Sequence, residues 1–300
     1  MRILMTGGTG FIGYHLEKAL LQRGHEVTIF DRMRINRDSY YRGDICDYYC
    51  LETVFQTVKP DLVIHLAAMV SRKESEETPY MAIQTNIDGT LNVVLLCLKY
   101  NSRLIYAGSS EEYGTAFSSN QNVSEDTPFG EPTSIYSMTK RMAEELIQYY
   151  AHFKGLKATT TRFFMLYGPG EKASSYRSAL IRFMEAATLE KSLNVHKNTV
   201  RQWCYIDDAV DILIKIVEQK QEICYQVFNI GNDEITKTED LAKKIIHLTG
   251  SKSKINLIPV EETVIPIKLA SFKKVRDTFN WDASTNLDSG LQKVYENFKQ

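Results

Sequence analysis

The sequence predicts an α/β protein with a doubly wound parallel sheet, helices on both faces of that sheet and a smaller carboxy-terminal lobe. Strand and helix patterns alternate through the first half of the chain, which is typical of a parallel sheet. The first strand runs directly into a glycine-rich segment at residues 7–13. After Gly168-Pro169-Gly170 the pattern becomes less regular, and this change predicts the second lobe.

The first βα unit is the clearest element. Residues 2–6 form a short apolar run that predicts a buried strand, and the following segment carries Ile12, Leu16 and Leu20 at helical spacing before it stops at Gly24. This order of strand, turn and helix is that of a first βα unit. A second strand follows at residues 27–30.

The glycines between that strand and helix predict a dinucleotide-binding turn. They satisfy G-x-G-x-x-G at Gly8, Gly10 and Gly13, and also a G-x-x-G-x-x-G frame that begins at Gly7. Glycine lets the backbone turn sharply and approach a pyrophosphate, which then rests on the helix N-terminus. A glycine triplet alone is weak evidence, but here it lies between a predicted strand and a predicted helix.

Asp31 follows the second strand, at the place expected for a carboxylate that binds the adenosine ribose. A carboxylate there repels a 2′-phosphate, so it favours NAD over NADP. Four arginines in the next segment could instead accept that phosphate, but a loose basic run is usually solvated loop charge. These arginines are Arg32, Arg34, Arg37 and Arg42.

The remaining elements set the predicted domain limits. Strands are expected at residues 62–65, 103–107 and 158–164, and helices at residues 81–100 and 134–153. Later segments predict a helix at 178–189, a strand near 200–205 and a helix at 208–218. We expect a dinucleotide-binding Rossmann domain at residues 1–170, onto which residues 207–230 fold back. Residues 171–300 are then mainly a substrate-binding lobe.

Composition limits the function classes. The chain has 300 residues, 43% of them hydrophobic, and a formal net charge of −1, so it lacks the basic surplus of a nucleic-acid-binding protein. Its longest uncharged apolar run, residues 93–98, is too short to span a bilayer. The N-terminal apolar stretch breaks at Thr6-Gly7-Gly8, unlike a signal peptide. We expect a cytoplasmic protein without a membrane segment.

Cysteines and histidines predict no metal site. The cysteine number is odd and no C-x-x-C spacing occurs, which fits reduced, buried thiols. The cysteines are Cys46, Cys50, Cys97, Cys204 and Cys224. The six histidines are scattered without ligand-like pairing.

Tyr136 and Lys140 form the main candidate catalytic pair. On the predicted helix at residues 134–153 their four-residue spacing puts both side chains on one face. A lysine cation within reach favours the phenolate and lowers the tyrosine pKa by about 1–3 units, which would make Tyr136 a plausible general base. The alternative is a chance spacing with the ring in the core and the ammonium in water.

Several motifs in order resemble the extended short-chain dehydrogenase/reductase superfamily and, more narrowly, the NAD-dependent epimerase/dehydratase family that acts on nucleotide sugars. The motifs are TGGTGFIG at residues 6–13, Gly43-Asp44-Ile45, His65-Leu66-Ala67-Ala68, Asn86, Ser109-Ser110-Glu111, Tyr136-x-x-x-Lys140 and residues 162–170. They span roughly the first 230 residues. Weaker likeness continues at residues 229–231 and at Trp281.

The resemblance implies a set of cofactor contacts to NAD. In it Asp44 and Ile45 would contact the adenine, residues 66–68 would line the cofactor cleft, and Lys140 would hydrogen-bond the nicotinamide ribose. The implied cofactor-binding residues are Gly7, Gly10, Phe11, Ile12, Gly13, Asp31, Asp44, Ile45, Leu66, Ala67, Ala68 and Lys140.

The resemblance also implies the chemistry. Tyr136 would take the proton of the sugar C4 hydroxyl while the C4 hydride passes to NAD+, with Ser109 holding the reacting oxygen. Rotation of the keto sugar then gives epimerisation, whereas loss of water or of carbon dioxide gives other products. The residues beside Ser109, namely Ser110 and Glu111, would decide among these routes.

Glu111 leaves two interpretations open. Ser110-Glu111 resembles the pattern of guanosine-diphosphate-mannose dehydratases and glucuronate decarboxylases more than the Asp-Glu pair of thymidine-diphosphate-glucose dehydratases, so Glu111 would move a second proton. Alternatively, Glu111 and Glu112 are an acidic loop edge, as some epimerases tolerate.

Some positions depart from the family pattern. Met165 stands where an asparagine normally reaches the substrate diphosphate. Arg201 matches a phosphate-binding arginine, but Gln202 replaces the aspartate beside it. Residues 263–272, the segment expected to hold the nucleotide, lack the arginine of the family pattern. Lys268 is the nearest cation to that position. Arg201 and Met165 remain the candidate substrate-binding residues.

Three further side chains are interpreted as structural. Arg162, at a strand end, is expected to be an internal ion-pair partner. Tyr167 and Trp203 could stack on a base or sugar, but aromatic residues in such positions are more often packing residues.

Two other functions remain as alternatives, and relatives suggest an assembly. A reductase of a 4-keto nucleotide sugar would consume NAD(P)H and use Tyr136 as an acid. A non-enzymatic regulator could sense dinucleotides with the same fold. By analogy with relatives, helices at residues 81–100 and 134–153 would pair across a two-fold axis, so we expect a homodimer.

Overall fold

The computed structural model describes residues 1–119, 122–171, 178–220, 223–261 and 263–299. The strands are β1 (Arg2–Thr6), β2 (Glu26–Asp31), β3 (Tyr40–Arg42), β4 (Leu62–His65), β5 (Arg103–Ser109), β6 (Ala158–Phe163), β7 (Leu166–Tyr167), β8 (Leu193–His196), β9 (Val200–Gln202), β10 (Cys204–Tyr205), β11 (Tyr225–Ile230), β12 (Ile235–Lys237) and β13 (Ile255–Ile258). The α-helices are α1 (Phe11–Gln22), α2 (Tyr48–Val58), α3 (Arg72–Glu77), α4 (Pro79–Ile83), α5 (Gly89–Lys99), α6 (Ile135–Lys154), α7 (Ala179–Thr188), α8 (Ile206–Val217), α9 (Thr238–Thr249), α10 (Lys273–Phe279) and α11 (Leu287–Phe298). A π-helical turn, Gln84–Asp88, joins α4 to α5, and the 3₁₀ segment Ser110–Ser119 follows β5.

The chain divides into two compact units. The first unit contains Met1–Glu112, Ser134–Arg162 and Val210–Phe228, and the second contains Tyr113–Thr133, Phe163–Ala209 and Asn229–Gln300. The predicted boundary at residue 170 therefore differs from this division, most of all at residues 113–133. That segment joins the second unit because the Tyr113 hydroxyl donates to Asn229 Oδ1 at 2.8 Å, a contact between residues far apart in sequence.

A seven-stranded parallel sheet forms the centre of the first unit, as the sequence predicts. The strand order is β11-β6-β5-β4-β1-β2-β3, so the order reverses between β1 and β4. The register pairs Thr6 with His65 at the ends of these two strands. Ligands of open α/β sheets bind beyond the carboxyl ends of the strands at such a reversal. The residues that follow Thr6 and His65 therefore lie where a ligand is expected.

Apolar side chains of the strands and helices make the core of the first unit. The buried cluster joins Leu4 and Val63 of the sheet to Val93 of α5 and Ile147 of α6. Each fully buried side chain of this kind contributes about 1.5–3 kcal/mol relative to exposure. Uninterrupted apolar runs on the strands are expected because a parallel sheet is covered on both faces.

Helix α6 has clear sequence signals at both ends. The Ser134 hydroxyl accepts from the Ser137 N–H, and Ser137 bonds back to Ser134 in a capping box. The helix ends at Gly155, which has φ +78° in the left-handed region that glycine adopts readily. The observed bounds differ from the predicted helix at residues 134–153 by one residue at each end.

One helical stretch, Pro79–Lys99, has the length and composition of a possible membrane span. Half of its apolar window is buried inside the structure, and core helices commonly satisfy the same criterion. Val93 and Val94 belong to the buried core cluster described above. The apolar character of this stretch is therefore accounted for by packing.

The second unit contains three two-stranded sheets with helices around them. Strands β7 and β10 pair in parallel, β8 and β13 also pair in parallel, and β9 and β12 pair antiparallel. The strand predicted near residues 200–205 is two strands, because β9 pairs with β12 whereas β10 pairs with β7. Sequence pattern alone could not separate them.

The cysteines are free, and their burial differs from the expectation in part. Cys97 and Cys204 are buried as predicted, Cys46 and Cys50 are half-buried, and Cys224 is exposed. Burial raises the pKa of the Cys46 thiol to about 12, with a contribution from Asp44. A thiol that resists ionisation is a poor nucleophile.

Candidate active site

The glycine turn after β1 is shaped by two close backbone approaches. Gly7 has φ +70°, and a Cβ there would lie 2.5 Å from the Ala67 nitrogen. A Cβ on Gly13 would lie 2.4 Å from the Gly8 carbonyl oxygen. Neither distance is tolerated by a side chain, so both positions require glycine. The turn is thereby packed directly against the chain that leaves β4.

Helix α1 begins at Phe11 and Ile12, immediately after this turn. Gly10 is the N-cap residue, and no side chain makes a capping bond there in the described part of the chain. A Cβ on Gly10 would meet only the Gly7 carbonyl oxygen within 4 Å, at 3.2 Å. The first N–H groups of α1 thus form the type of helix terminus that accepts a phosphate.

Asp31 is fixed at the end of β2. Its Oδ2 accepts from the Thr9 hydroxyl at 2.7 Å and the Thr9 N–H at 3.1 Å, and its Oδ1 accepts from the Met33 N–H at 3.2 Å. The carboxylate therefore lies next to the glycine turn. The interpretation of the nearby arginines as surface charge is confirmed, since Arg32, Arg34, Arg37 and Arg42 are all exposed.

The other predicted cofactor residues follow β3 and β4. Asp44 accepts from the Cys46 N–H at 2.9 Å, and Ile45 is buried in the core cluster. Leu66, Ala67 and Ala68 are half-buried and follow β4 directly. The Leu66 N–H donates to the Thr6 carbonyl at 3.0 Å, which keeps this segment against the end of β1.

Tyr136 and Lys140 lie one turn apart on α6, as their spacing predicts. Both side chains are buried. The Lys140 Nζ donates to the Ala107 carbonyl at 2.6 Å and lies 4.1 Å from the centre of the Tyr106 ring. The Ser109 side chain lies within interaction distance of the Tyr136 hydroxyl. The bond from Lys140 to Ala107 holds this face of α6 at the carboxyl end of β5.

Burial changes both titrations. It raises the pKa of Tyr136, the Ser109 hydrogen bond lowers that pKa, and the charges of Glu111 and Glu112 raise it further. The expected lowering by Lys140 is therefore wrong for the protein alone, because sequence spacing shows a nearby cation but not burial. Burial also lowers the pKa of Lys140 to about 8, against the opposing effect of Glu112 and Glu144.

Ser109, Ser110 and Glu111 are brought together with Tyr136. Ser109 ends β5, Ser110 begins the 3₁₀ segment, and all three residues are buried. The Glu111 N–H donates to the Ser109 hydroxyl at 3.2 Å, which fixes that oxygen. The Glu111 carboxylate lies 3.9 Å from the Arg72 Nε of α3.

A buried ion-pair cluster lies behind this face. Arg162 Nε donates to Glu144 Oε2 at 3.0 Å, and Arg162 Nη2 donates to Glu144 Oε1 at 2.5 Å. Glu112 Oε2 lies 3.6 Å from Arg162 Nε. The prediction that Arg162 is an internal ion-pair partner is confirmed. The sequence interpretation had grouped Glu112 with an acidic loop edge, and its burial is the part that the sequence did not indicate.

The sequence analysis also did not predict a second buried network of polar side chains. His65 Nδ1 lies 2.7 Å from the Thr6 hydroxyl, and His65 Nε2 lies 3.0 Å from the Thr90 hydroxyl. Asn86, within the π-helical turn, donates to Thr139 of α6 at 3.0 Å. Its Oδ1 accepts from the Met69 N–H at 2.8 Å. Buried polar groups satisfied in this way fix their elements relative to each other.

The candidate substrate residues belong to the second unit. The Arg201 guanidinium donates to the backbone carbonyls of Val200, Ile265 and Pro266 at 2.8, 3.0 and 2.6 Å. Met165 has φ +33°, a left-handed conformation that is uncommon for a side chain of this size. Lys268 is buried.

The replacement residue Gln202 and two aromatic residues of that unit have structural roles. Gln202 accepts from the Ala270 N–H at 2.7 Å and donates to the Ala270 carbonyl at 3.4 Å, so it braces the backbone there. Tyr167 and Trp203 are buried, with ring centres 6.3 Å apart in an edge arrangement. Their interpretation as packing residues is confirmed. Among the described residues no cluster of His, Cys, Asp and Glu could hold a metal ion.

Comparison with known proteins defines the class of this fold and site. Residues 3–231 match the NAD-dependent epimerase/dehydratase family. The chain therefore belongs to that family, and the resemblance identified from its motifs is confirmed.

Relatives with this fold act on nucleotide sugars. A UDP-N-acetyl-alpha-D-glucosaminuronate decarboxylase from Bacillus cytotoxicus is 30% identical, over 100% of this chain and 98% of the relative. The crystal structure of a UDP-glucose 4-epimerase from Thermotoga maritima with UDP-glucose is 27% identical, with a TM-score of 0.90 over 100% of this chain and 99% of that chain. A Bacillus cereus UDP-glucuronic acid 4-epimerase, solved with UDP-glucuronic acid and NAD, is 25% identical with the same TM-score and coverage.

Proposed function

We propose that this chain is an NAD-dependent nucleotide-sugar epimerase/dehydratase that oxidises its sugar substrate at C4. One observation carries the proposal: Tyr136 lies beside Ser109 and one helical turn from Lys140 at the carboxyl end of β5. These groups supply a proton acceptor, an oxygen-binding hydroxyl and a cation. Family membership and the nucleotide sugars bound by the relatives support the same conclusion.

The residues of the first unit fit NAD. The turn at Gly7, Gly10 and Gly13, followed by the uncapped start of α1, suits a pyrophosphate. Asp31 presents a fixed carboxylate at the expected ribose position. Bound NAD+ supplies the hydride acceptor. We assign the adenine contacts to Asp44 and Ile45, and the wall of the cofactor site to residues 66–68 with Phe11 and Ile12.

Proton movement at C4 is assigned to Tyr136. Its phenolate would take the hydroxyl proton, and the Ser109 hydroxyl would orient the same substrate oxygen. Because burial raises the Tyr136 pKa in the protein alone, we assign the role of favouring the phenolate to Lys140 together with the positive charge of bound NAD+. Lys140 would also hydrogen-bond the ribose next to the nicotinamide. The Arg201 and Met165 positions of the second unit are proposed to contact the substrate.

Glu111 supports elimination as a second outcome after oxidation. Its buried carboxylate influences Tyr136 and lies 3.9 Å from the Arg72 guanidinium. In loss of water, a carboxylate at this position could remove the C5 proton as the C6 hydroxyl leaves, with Ser110 beside it. In loss of carbon dioxide, its acid form would instead give a proton to C5 after the bond to the carboxylate breaks. Arg72 would stabilise a carboxylate on the sugar, and two of the relatives described above act on uronic acids. UDP-uronic acids are therefore the first substrates to test.

The decisive experiment is product analysis without added cofactor. Purified protein is incubated with UDP-glucose, UDP-glucuronic acid, UDP-N-acetylglucosaminuronic acid and corresponding sugars of guanosine, cytidine and thymidine diphosphates. Unchanged mass with a changed C4 configuration indicates epimerisation, whereas loss of water or carbon dioxide indicates elimination. If Glu111 moves a proton, Glu111→Gln stops elimination while hydride exchange at C4 continues.

A second incubation, with added NAD(P)H and 4-keto nucleotide sugars, separates the alternatives. A 4-keto-sugar reductase would convert its substrate only with stoichiometric NAD(P)H consumption. A dinucleotide-sensing regulator would bind NAD without turning over any sugar. Either result would reject the proposed reaction, in which bound NAD is reduced and reoxidised within each turnover.

We also propose a cytoplasmic homodimer. Helices α4 and α6 expose large apolar side chains, including Tyr80 and Phe153, each 72% exposed, and Met142, 42% exposed. Such apolar surface is a candidate for an interface. Sedimentation velocity should give a dimer that Phe153→Glu converts to a monomer, and cell fractionation tests the location.

A further inference from the structure

Two buried carboxyl groups lie immediately behind the proposed catalytic face. Glu112 is 1% exposed and Glu144 is 3% exposed, and we call them the acid pair. Arg162 is the guanidinium that bonds Glu144. The second negative charge of the pair can be balanced in two ways, by a proton on the pair or by a charged Lys140, because both carboxylates favour the charged form of Lys140. A buried charge that neither balances is unfavourable.

The contacts indicate which oxygen holds the proton. Glu112 Oε1 accepts from the Ser109 N–H at 2.7 Å. Glu112 Oε2 is buried without a hydrogen-bond partner among the described residues, although the Arg162 Nε lies 3.6 Å away. Glu144 already receives two bonds from Arg162 and one from the Tyr225 hydroxyl at 3.1 Å. A proton on Glu112 Oε2, donated toward Glu144, satisfies the one oxygen that lacks a partner.

We propose that the acid pair holds one proton at working pH and that Glu112, by releasing it as the pH rises, keeps Lys140 charged. Glu112 is then a positioning residue that acts through Lys140 and Ser109. The inference rests on the proposed function only where turnover is measured.

The charge balance explains the coupling. With the proton on the acid pair, Arg162 and the pair cancel, and Lys140 is a buried cation without a counter-ion. When Glu112 loses the proton, its charge becomes that counter-ion. The titratable and charged groups facing this cluster come from every neighbouring element: His65 of β4, Tyr106 of β5, Tyr136, Lys140 and Glu144 of α6, Arg162 of β6 and Tyr225 of β11.

The titrations agree with this geometry. Burial and the nearby charge of Glu144 raise the pKa of Glu112 well above its usual range, against the effects of Arg162 and Lys140. Burial also opposes ionisation of Glu144, but hydrogen bonds from Glu112 and Arg162 outweigh it and lower its pKa. Glu112 is thus the protonated member of the pair. Lys140, with a pKa lowered by burial to about 8, is the group most affected by whether Glu112 is charged.

Glu112→Gln is the informative variant. The amide keeps an acceptor for the Ser109 N–H and a donor for Glu144, so the positioning is retained while the releasable proton is lost. Lys140 would then lose its own proton at lower pH. The matched control is Glu145→Gln, the same chemical change on α6, the helix that carries Lys140. The Glu145 carboxylate is paired with Arg141 at the surface.

The primary measurement is NMR titration of lysine labelled with ¹³C at Cε, with the Lys140 signal assigned by Lys140→Arg. The titration midpoint of Lys140 should fall by about one unit or more in Glu112→Gln, because the Glu112 charge that favours the charged form of Lys140 is lost. Glu112→Asp and Glu145→Gln should stay near the wild-type midpoint. Equal midpoints in wild type and Glu112→Gln would overturn the proposal.

A second measurement uses only the wild-type protein, so it does not depend on whether a variant folds. Infrared spectroscopy of wild-type protein at a pH well below the measured Lys140 midpoint should show the carbonyl band of a protonated carboxyl group, and absence of this band would also overturn the proposal. Neither spectrum requires a sugar substrate, so a failure of the proposed function leaves both results interpretable. If turnover is found, its alkaline limb should move with the Lys140 midpoint, whereas a merely structural role would lower turnover at every pH without moving that limb.

Discussion

The glycine turn after β1 and the charged cluster at the end of β5 are both needed for the proposed chemistry, but they are built in opposite ways. The turn works by leaving side chains out, since a Cβ on Gly7 would lie 2.5 Å from the Ala67 nitrogen. The cluster works by burying charged side chains, with Lys140, Glu112 and Arg162 all below 5% exposure. One region is limited by shape, and the other is limited by charge balance.

This difference explains which region was predictable from sequence. The turn depends on residues a few positions apart, so the spacing of Gly7, Gly10 and Gly13 was sufficient. The cluster joins Glu112 to Glu144 and Arg162 across long sequence separations, and no local pattern reports such a contact. Burial at the cluster then reversed the expected direction of the Tyr136 pKa shift.

The largest expected effect is loss of the proton acceptor in the charged cluster. Tyr136→Phe removes only the hydroxyl, so we expect turnover to fall by about 10²–10⁴-fold, the usual contribution of a positioned acid or base. NAD binding should be retained, because the glycine turn is untouched. Single-turnover kinetics and isothermal titration with NAD measure the two properties separately. Near-wild-type turnover would show that Tyr136 is not the acceptor.

Removing the Arg162 guanidinium should have the next largest effect, on the free energy of unfolding. Arg162→Met leaves the Glu144 carboxylate buried without its bidentate partner, which is expected to lower the free energy of unfolding by about 3–5 kcal/mol. The matched control is Arg141→Met, since Arg141 pairs with Glu145 at the surface at 2.9 Å. Such an exposed pair contributes only about 0.3–0.5 kcal/mol. Urea denaturation of both variants measures the difference, and equal losses would contradict the assigned charge balance.

The glycine turn can be tested with two glycines of similar conformation. Gly7 and Gly24 have φ +70° and +77°, but a Cβ on Gly24 would have no heavy atom within 4 Å. Both alanine variants should lose about 1–2 kcal/mol to the left-handed backbone. Gly7→Ala should lose about 1–3 kcal/mol more from the clash with Ala67, together with NAD affinity. If Gly24→Ala is equally destabilised in denaturation, conformation and not close approach sets the requirement.

The strand pattern shows the same limit of sequence reasoning within the fold itself. Strands β1 and β4 were predicted with the observed bounds because each is a continuous apolar run between breakers. The 3₁₀ segment after β5 was not predicted, and it belongs to the second unit from Tyr113 onward. Its position depends on the distant partner Asn229, which hydrogen-bonds Tyr113. Long-range contacts therefore limited both the domain boundary and the active-site prediction.

The smallest expected effect is a pH dependence of stability from His65, which connects the two regions because it ends β4 next to β1 and lies near Lys140. Burial and then the Lys140 charge lower the pKa of His65 to about 3. Folded His65 therefore stays neutral where an unfolded histidine takes up a proton, below about pH 6.5. The unfolded state binds more protons in that window. The stability that neutral His65 contributes is therefore complete above about pH 6.5 and falls by up to about 1.4 kcal/mol per unit below it, or about 2 kcal/mol by pH 5. Denaturation between pH 7.5 and 5 should show a shallower dependence of the unfolding free energy on pH for His65→Gln than for wild type. His152→Gln, at an exposed position of α6, should keep the wild-type dependence.

A wild-type dependence in His65→Gln would mean that the buried network around Thr6 and Thr90 tolerates a charged imidazole. The cluster near Lys140 would then be more open to water than its burial indicates.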